Sequence, residues 1–301
     1  MSVRLERAGA AAVITVDRPD RRNALDPESL RALATQAKAL KREADVRGVV
    51  LTGGAEGGGF LSGGDLQALA GVKTARGARE MARAAHAAVD ALRALGVPLV
   101  AAVGGDAYGG GCELAAACDY RVVDEGARFT WVQARFAVTT GWGGAANLLA
   151  LVPRGTATRW LLTARPVSCD EARDAGFVDE VAARGEAVSR AVDFVEAVAK
   201  QPKVAVRRML VLLRESSALS PAMARRLELD HFGRSWATAR DHHDAVRSLP
   251  HARAVGHAVV ARRASTRTSA RVVPRGPRRR RDASSLDARV DDRVVRSVRR
   301  R

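Results

Sequence analysis

The first 250 residues of this 301-residue chain predict an α/β fold. Short runs rich in β-branched residues alternate with longer alanine-rich segments whose apolar residues recur at helical spacing. That alternation is typical of sheets whose strands are connected by helices. With 47% hydrophobic residues, the chain can also bury a core without disulfide or metal staples. The predicted strands are residues 11–16, 48–52, 99–103 and 120–123.

Two helices of this scaffold have strong sequence signals. The first begins with Asp26 as N-cap and Pro27 at the first helical position, both of which suit the unpaired amides of a helix start. The second is predicted over residues 79–95. Apolar residues recur on one face of each helix and are expected to point inward: Leu30, Leu33, Ala37 and Leu40 in the first, and Met81, Ala85, Val89 and Leu92 in the second.

Composition divides the chain into three predicted parts. Residues 1–200 carry the alternation of strands and helices and form the predicted core. Residues 201–250 have a wholly helical pattern and predict a smaller helical subdomain. Residues 251–301 are rich in arginine, with no sustained apolar period and no aromatic residue. We expect this tail to be disordered, unless it is an artefact of a shifted reading frame in a GC-rich gene.

The net charge of +17 belongs mostly to the tail. Residues 253–301 contain sixteen arginines, no lysine and four aspartates, a balance of +12 that leaves +5 for the rest of the chain. An RNA-binding protein that uses this tail on phosphates is therefore one alternative function. Base stacking needs aromatic side chains, which make up 4% of the chain and are missing from the tail. Nucleic acid is therefore not the expected partner.

Export, membrane insertion and metal binding have no support in the sequence. The longest apolar stretches are broken by glycine or proline and fall short of the roughly 20 residues that span a bilayer. The N-terminus lacks the features of a secretory signal, and Cys112, Cys118 and Cys169 show no disulfide or zinc spacing. The DHHD cluster at residues 241–244 has metal-ligand types at adjacent positions, which face different ways on a helix. We expect a cytoplasmic protein without a metal ion.

Two glycine-rich segments could carry chemistry. The first, GGGFLSGGDL at residues 57–66, allows successive backbone amides to point at one acceptor. The second, at residues 101–119, is an apolar strand, a triple glycine and an alanine-rich helix with Glu113 in its first turn. Amides at a helix N-terminus carry partial positive charge, so Gly110 and its neighbours suit an anion or oxyanion. Taken alone, Glu113 is better explained as a surface residue that complements the helix dipole.

Four motifs, in order, resemble the crotonase (enoyl-CoA hydratase/isomerase) family. They are DRPDRRNALD, VVLTGG with FLSGGDL, GGGCELAAACD and GWGG, and the likeness covers residues 3–249. The resemblance implies a spiral of ββα turns with a C-terminal helical trimerisation region, usually in a trimer or a dimer of trimers. It also implies an acyl-CoA thioester substrate, with coenzyme A as part of that substrate and no separate cofactor.

The resemblance also implies roles for individual residues. The backbone amides of Gly64 and Gly110 would form an oxyanion hole, and Glu113 would be a catalytic carboxylate. A thioester enolate carries its negative charge on the former carbonyl oxygen, and one well-aimed donor to such an oxygen is typically worth about 2.7–4 kcal/mol. Four further residues would line or support the CoA site: Arg22, Ala24, Ser62 and Asp65.

The sequence departs from the hydratases of this family at a second catalytic position. A gap-free count back from GWGG places Gln133 where they have a second glutamate, and a glutamine cannot act as a base. Trp142 in GWGG and the stretch LDHFGRSWATARD resemble the ethylmalonyl-CoA decarboxylase branch instead. We therefore predict a lyase that decarboxylates 2-carboxyacyl-CoA thioesters of the ethylmalonyl-CoA or methylmalonyl-CoA type. The alternative is an enoyl-CoA hydratase or isomerase with Glu113 as its one acid/base.

Decarboxylation gives four residues hypothetical roles. An apolar pocket would destabilise the substrate carboxylate, and Trp131 and Trp142 are candidates for its walls, although core packing explains each of them equally well. Gln133 would orient the departing carboxylate with its amide. Glu113 would manage the proton that ends on carbon.

Overall fold

The fold is built on a six-stranded sheet. The computed structural model describes residues 2–216 and 218–238, so the predicted tail and the DHHD cluster lie outside the described residues. The six-stranded sheet has the order β1-β2-β3-β4-β6-β9, and a smaller sheet has the order β5-β7-β8. The strands of this part of the chain are β1 (Val3–Ala8), β2 (Ala11–Val16), β3 (Gly48–Gly53), β4 (Leu99–Val103), β5 (Ala107–Tyr108), β6 (Tyr120–Asp124), β7 (Arg128–Thr130), β8 (Pro166–Ser168) and β9 (Glu180–Ala182).

Helices connect the strands and follow the last of them. The described α-helices are α1 (Pro27–Leu40), α2 (Ala75–Arg93), α3 (Gly110–Ala117), α4 (Gly144–Leu151), α5 (Arg154–Thr163), α6 (Cys169–Asp174), α7 (Ala187–Ala199), α8 (Lys203–Ser216) and α9 (Pro221–Thr238). The last two match the helical pattern of residues 201–250 as far as the described residues reach. Among these helices, none is long and apolar enough to cross a bilayer.

The central strands are buried on both faces. Strand β1 is antiparallel to β2, whereas β2, β3, β4, β6 and β9 run parallel to one another. All six residues of β2 are buried. Val13 and Val50 pack in a cluster with Val195 of α7, while Ile14 and Leu51 pack in the larger cluster that includes α1 and α2. Because helices cover both faces, these strands have continuous apolar sequences rather than an alternating pattern.

The predicted scaffold elements are present with small changes at their ends. Strands 11–16 and 99–103 match β2 and β4, and strands 48–52 and 120–123 each extend by one residue. The side chain of Asp26 accepts a hydrogen bond from the Ser29 amide at 2.7 Å, as expected of an N-cap. Helix α2 begins at Ala75 instead of residue 79, because Thr74 caps it by accepting from the Gly77 amide at 3.1 Å.

Strands β3 and β4 bring the two glycine-rich segments to the same edge of the sheet. They are parallel neighbours, with Val49 opposite Leu99 and Thr52 opposite Ala102. The carboxyl ends of both strands therefore point the same way. The glycines of both segments follow these strands, so the register of the sheet places them side by side.

Helix α8 is attached to the core through Arg214. Its guanidinium makes a bidentate ion pair with Asp119, with Nε 2.7 Å from Oδ1 and Nη2 2.5 Å from Oδ2. Nη1 donates to the carbonyl of Arg93 at 2.8 Å, and Asp119 also accepts from the amide of Leu99 at 2.8 Å. Both charged side chains are mostly buried, so removal of either would leave a buried charge without its partner.

We expect Arg214→Ala to lower the free energy of unfolding by about 3–5 kcal/mol, the usual cost of breaking a buried ion pair from one side. Urea unfolding followed by circular dichroism measures the difference. Arg173→Ala is the matched control, because Arg173 forms an exposed pair with Asp170 and exposed pairs contribute about 0–1 kcal/mol. Equal losses in the two variants would contradict the anchoring role of Arg214.

Candidate active site

The two glycine-rich loops lie in direct contact. The amide of Tyr108 donates to the carbonyl of Leu61 at 3.0 Å and fixes one loop against the other. Gly63 has a φ of +93°, and a methyl group added to it would lie 2.7 Å from the amide nitrogen of Gly110. A side chain at Gly63 is therefore excluded by both conformation and space. This approach places Gly64 close to Gly110.

Two backbone amides at this contact point have no acceptor among the described residues. Within residues 2–216 and 218–238, neither the Gly64 amide nor the Gly110 amide donates a hydrogen bond. The chain next to Gly64 is fixed, because the amide of Leu25 donates to Gly63 and the amide of Asp65 donates to Leu25. Gly110 is the first residue of α3, where the helix dipole adds partial positive charge. The pair can therefore donate to one oxyanion.

Glu113 is buried and accepts hydrogen bonds from four donors. Oε1 accepts from the side-chain amide of Gln133 at 2.8 Å and from the backbone amide of Gly141 at 3.4 Å. Oε2 accepts from the backbone amides of Trp142 at 2.7 Å and Gly144 at 2.9 Å. A carboxylate has about four acceptor positions, so the protein itself occupies them. Glu113 is thus a buried anchor for the 141–144 turn, not a surface residue that complements the helix dipole.

Gln133 lies beside Glu113 with part of its amide unused. Its side chain is buried, and its nitrogen faces the carboxylate because a carboxylate can only accept. Its carbonyl oxygen has no partner within the described residues. One N–H and one carbonyl oxygen of Gln133 therefore remain for a ligand. A buried polar atom without a partner costs free energy, which makes this position a candidate contact for substrate or water.

The indole of Trp142 packs against both glycines of the predicted oxyanion hole. A methyl group added to Gly110 would lie 2.4 Å from Cζ3 of the ring, and one added to Gly64 would lie 3.5 Å from Cζ2. The residue is 7% exposed. Trp131 is placed differently, because it is fully buried and packs edge-on against Phe177 at 6.2 Å between ring centroids. Trp142 forms a wall at the two amides, whereas Trp131 belongs to the core.

Cys112, next to Glu113 in α3, is not a candidate nucleophile. It is fully buried, and its Sγ donates to the carbonyl of Ala107 at 3.2 Å. Burial raises the pKa of this thiol far above its usual range, so it stays protonated at neutral pH.

All four residues predicted for the CoA site make defined contacts. Arg22 is exposed with a φ of 49°, and its backbone amide donates to the carbonyl of Pro19 at 3.1 Å. Ser62 donates through its hydroxyl to the carbonyl of Arg21 at 3.2 Å. The carbonyl of Ala24 accepts from Nη1 of Arg18 at 2.5 Å, and Asp65 accepts from Nη2 of the same arginine at 3.0 Å.

Asp65 is ionised at neutral pH and supports the loop around it. Burial acts to raise the pKa of this carboxyl, but hydrogen bonds from the Ala68 amide and the Arg18 guanidinium outweigh burial and hold the pKa below its ordinary value of 3.8. Asp26, which also pairs with Arg18 at 2.8 Å, has a lowered pKa as well, because burial is again outweighed by hydrogen bonds, here from Ser29, together with the arginine charge.

Sequence reasoning missed two residues that build this site. Arg18 joins Ala24, Asp65 and Asp26 in one cluster. Asn23 is fully buried with a φ of 57°, and its side-chain amide donates to the carbonyls of Gly54 and Gly59. Both lie within the stretch DRPDRRNALD. A run of charged and polar residues is also typical of an ordinary turn, so the stretch gave no separate signal for them.

The fold and this arrangement of amides define the class of protein. The family profile described as enoyl-CoA hydratase/isomerase matches residues 6–246. A solved enoyl-CoA hydratase from Polaromonas sp. JS666 superimposes with a TM-score of 0.76 at 28% identity, covering 81% of this chain and 95% of that one. The chain therefore belongs to the enoyl-CoA hydratase/isomerase, or crotonase, family and has the crotonase fold.

Individual relatives differ in the reaction they are named for. The short-chain-enoyl-CoA hydratase of Clostridium acetobutylicum is 31% identical over 245 residues, which is 81% of this chain and 93% of that protein. The ethylmalonyl-CoA decarboxylase of Danio rerio is 29% identical over 237 residues, 77% of this chain and 78% of that protein. These similar identities leave the choice of reaction to the residues of the site.

We expect Gly110→Ala to destabilise the protein by about 1–3 kcal/mol, the usual cost of forcing an extra methyl group into a packed site. The added methyl would collide with the Trp142 ring, so Trp142→Ala in the same chain should recover part of the loss. Thermal unfolding of the two single variants and the double variant measures this coupling. Gly155→Ala, a helical glycine with nothing within 4 Å, is the control and should be neutral or slightly stabilising. Strictly additive losses at Gly110 and Trp142 would contradict the contact.

Proposed function

We propose that this protein decarboxylates 2-carboxyacyl-CoA thioesters through an enolate. The observation that carries the proposal is the state of Glu113, whose acceptor positions are occupied by four protein donors. The neighbouring position holds Gln133, which cannot act as a base. Hydration of a double bond needs a group that activates water. Decarboxylation does not, so it fits the residues of this site better.

The proposed reaction uses the two unpaired amides. The thioester carbonyl oxygen accepts hydrogen bonds from Gly64 and Gly110. The bond between the α-carbon and the carboxylate then breaks, its electron pair moves into the enolate, and carbon dioxide leaves. The amides stabilise the negative charge that develops on oxygen, where each donor is worth about 2.7–4 kcal/mol. The α-carbon finally takes a proton from water, and no cofactor besides the CoA of the substrate is needed.

The surroundings of the amides support loss of a carboxylate. The Trp142 ring replaces water on one side of the site, and a carboxylate held against an apolar ring is less stable than in solution, whereas the enolate charge lies on an oxygen with two donors. Gln133 has an N–H left to orient the departing carboxylate. Glu113 acts here as a positioning residue, because it holds the turn that carries Trp142.

A second candidate function is hydration of short enoyl-CoA thioesters. The similarity to the hydratase of Clostridium acetobutylicum favours it. So does the carbonyl oxygen of Gln133, which lacks a partner among the described residues and could accept a hydrogen bond from water. In that reaction Glu113 would have to exchange one of its four protein donors for the water it deprotonates.

We expect the purified protein to release carbon dioxide from ethylmalonyl-CoA or methylmalonyl-CoA and to hydrate crotonyl-CoA poorly. Gln133→Glu should make hydration faster than decarboxylation, because the variant places a second carboxylate about 2.8 Å from Glu113 and supplies a partner for water. Mass spectrometry of the acyl-CoA products distinguishes the two reactions. We expect decarboxylation to fall at least about tenfold in this variant, which corresponds to about 1.4 kcal/mol.

Gln201→Glu is the matched control for that charge change, since residue 201 is exposed. It should leave both rates unchanged. Efficient hydration of crotonyl-CoA by the parent protein, without carbon dioxide release from either malonyl-type thioester, would overturn the decarboxylase proposal in favour of the hydratase.

We also propose that the protein is a homotrimer assembled through α8 and α9. Trimeric assembly is typical of the family, and large apolar side chains are exposed on these two helices: Met209, Leu213, Met223, Leu229, Phe232 and Trp236. Leu213 is 75% exposed and Leu229 71%, which is costly in a monomer. Light scattering should give three times the monomer mass, and Leu213→Glu with Leu229→Glu should give monomers. A monomeric parent would contradict the proposal.

A further inference from the structure

We infer that the indole of Trp142 limits the acyl group to a few carbon atoms. The inference rests on the proposed function in one respect, namely that the substrate carries a carboxyl group. The limit on the size of the acyl group does not depend on that function. It concerns the space beside the two amides, which any thioester with its carbonyl oxygen between Gly64 and Gly110 must enter.

The ring spans the site from one amide residue to the other. Its Cε3 and Cζ3 atoms face Gly110, within 2.4–2.6 Å of where a methyl group would be, and its Cζ2 atom faces Gly64. Cδ1 of Leu69 also lies near Gly64, 2.9 Å from the same methyl position. Two apolar side chains, Trp142 and Leu69, therefore bound the space next to the amides.

The backbone of Trp142 is fixed at several points, and the residue is 7% exposed, so the ring has little room to change its rotamer. The amides of Trp142 and Gly144 both donate to Oε2 of Glu113. The carbonyl of Gly141 lies 2.9 Å from Nε2 of His86 on α2, so the turn is also tied to a second helix. A thioester that displaced the ring by moving this turn would have to break hydrogen bonds to a buried carboxylate, which are expensive to lose.

Two further glycines near the amides are closely packed. Gly144 packs on Glu113, and a methyl group added to it would lie 2.4 Å from Cγ of that residue. Gly111 packs on the other glycine-rich loop, and its methyl position would overlap the carbonyl oxygen of Leu61. The α-carbon of a bound thioester and a substituent of one or two carbons fit beside the ring, whereas a long chain collides with it. Malonyl-type thioesters with a methyl or ethyl substituent are the matching substrate class.

Binding of unreactive thioesters tests the limit on acyl length independently of catalysis. Acetyl-, butyryl-, hexanoyl- and octanoyl-CoA carry neither a second carboxylate nor a double bond, so they can be neither decarboxylated nor hydrated. By calorimetry, the parent protein should bind octanoyl-CoA at least about 10-fold more weakly than butyryl-CoA, since a hydrophobic site discriminates about 10- to 200-fold per methylene. Trp142→Ala should remove that difference or invert it, and Trp142→Phe should give an intermediate ratio.

Two controls make the result specific. Free coenzyme A should bind each variant as it binds the parent, which shows that the CoA site is folded. Leu162→Ala, an equally severe truncation at a residue 72% exposed on α5, should leave the ratio unchanged. The inference is overturned if the parent binds octanoyl-CoA as tightly as butyryl-CoA, or if folded Trp142→Ala keeps the parent ratio. If Trp142→Ala fails to fold, the parent protein and Trp142→Phe provide the test. An unchanged ratio in folded Trp142→Phe then overturns the inference.

Failure of the proposed function would look different. A parent protein that discriminates by chain length but releases no carbon dioxide would retain the role of Trp142 and lose the decarboxylase. A protein that decarboxylates ethylmalonyl-CoA but binds every chain length equally would support the proposed function and contradict the role of Trp142.

Discussion

The geometry of the site depends on one buried carboxylate. Glu113 gathers the amides of the 141–144 turn and the side chain of Gln133 around two oxygen atoms. Because a buried charge is tolerated only when its acceptor positions are filled, the turn has little freedom to rearrange. The ring of Trp142 is thereby fixed over Gly110.

The parallel sheet supplies the other half of the site. Strands β3 and β4 lie side by side, so the loops that follow them meet, and the contact between Gly63 and Gly110 is too close for any side chain. Backbone amides placed by a sheet edge and a helix N-terminus need no reorganisation when charge develops on a substrate oxygen. Arg18 and Asn23 hold the preceding segment in place, and of the polar residues in DRPDRRNALD only Asn23 is fully buried.

Much of the scaffold could be predicted because its signals are local. An N-cap such as Asp26 and an apolar run such as residues 11–16 specify their elements within a few positions. The short strands β5, β7, β8 and β9 contain two or three residues each and have no period to detect. Three of them form because β7 has partners on both sides, Ala107 of β5 and Val167 of β8, both opposite Phe129. Strand β9 forms by pairing with β6, with Val181 opposite Val123. The early start of α2 at Ala75 was missed because a Thr cap is a weaker signal than Asp before Pro.

The sequence by itself determined the family and the α/β class, since the order and spacing of its motifs are linear properties. It also determined that residue 133 is not a carboxylate. Tertiary structure alone decided what those residues do to one another: that Glu113 is buried and occupied by four donors, that Trp142 lies on the two glycines while Trp131 packs in the core, and that Arg18 joins Asp26 to Asp65. These outcomes depend on distances between segments far apart in the chain. No local pattern encodes such distances, because they are set by the register of the sheet and the packing of α3 against α4.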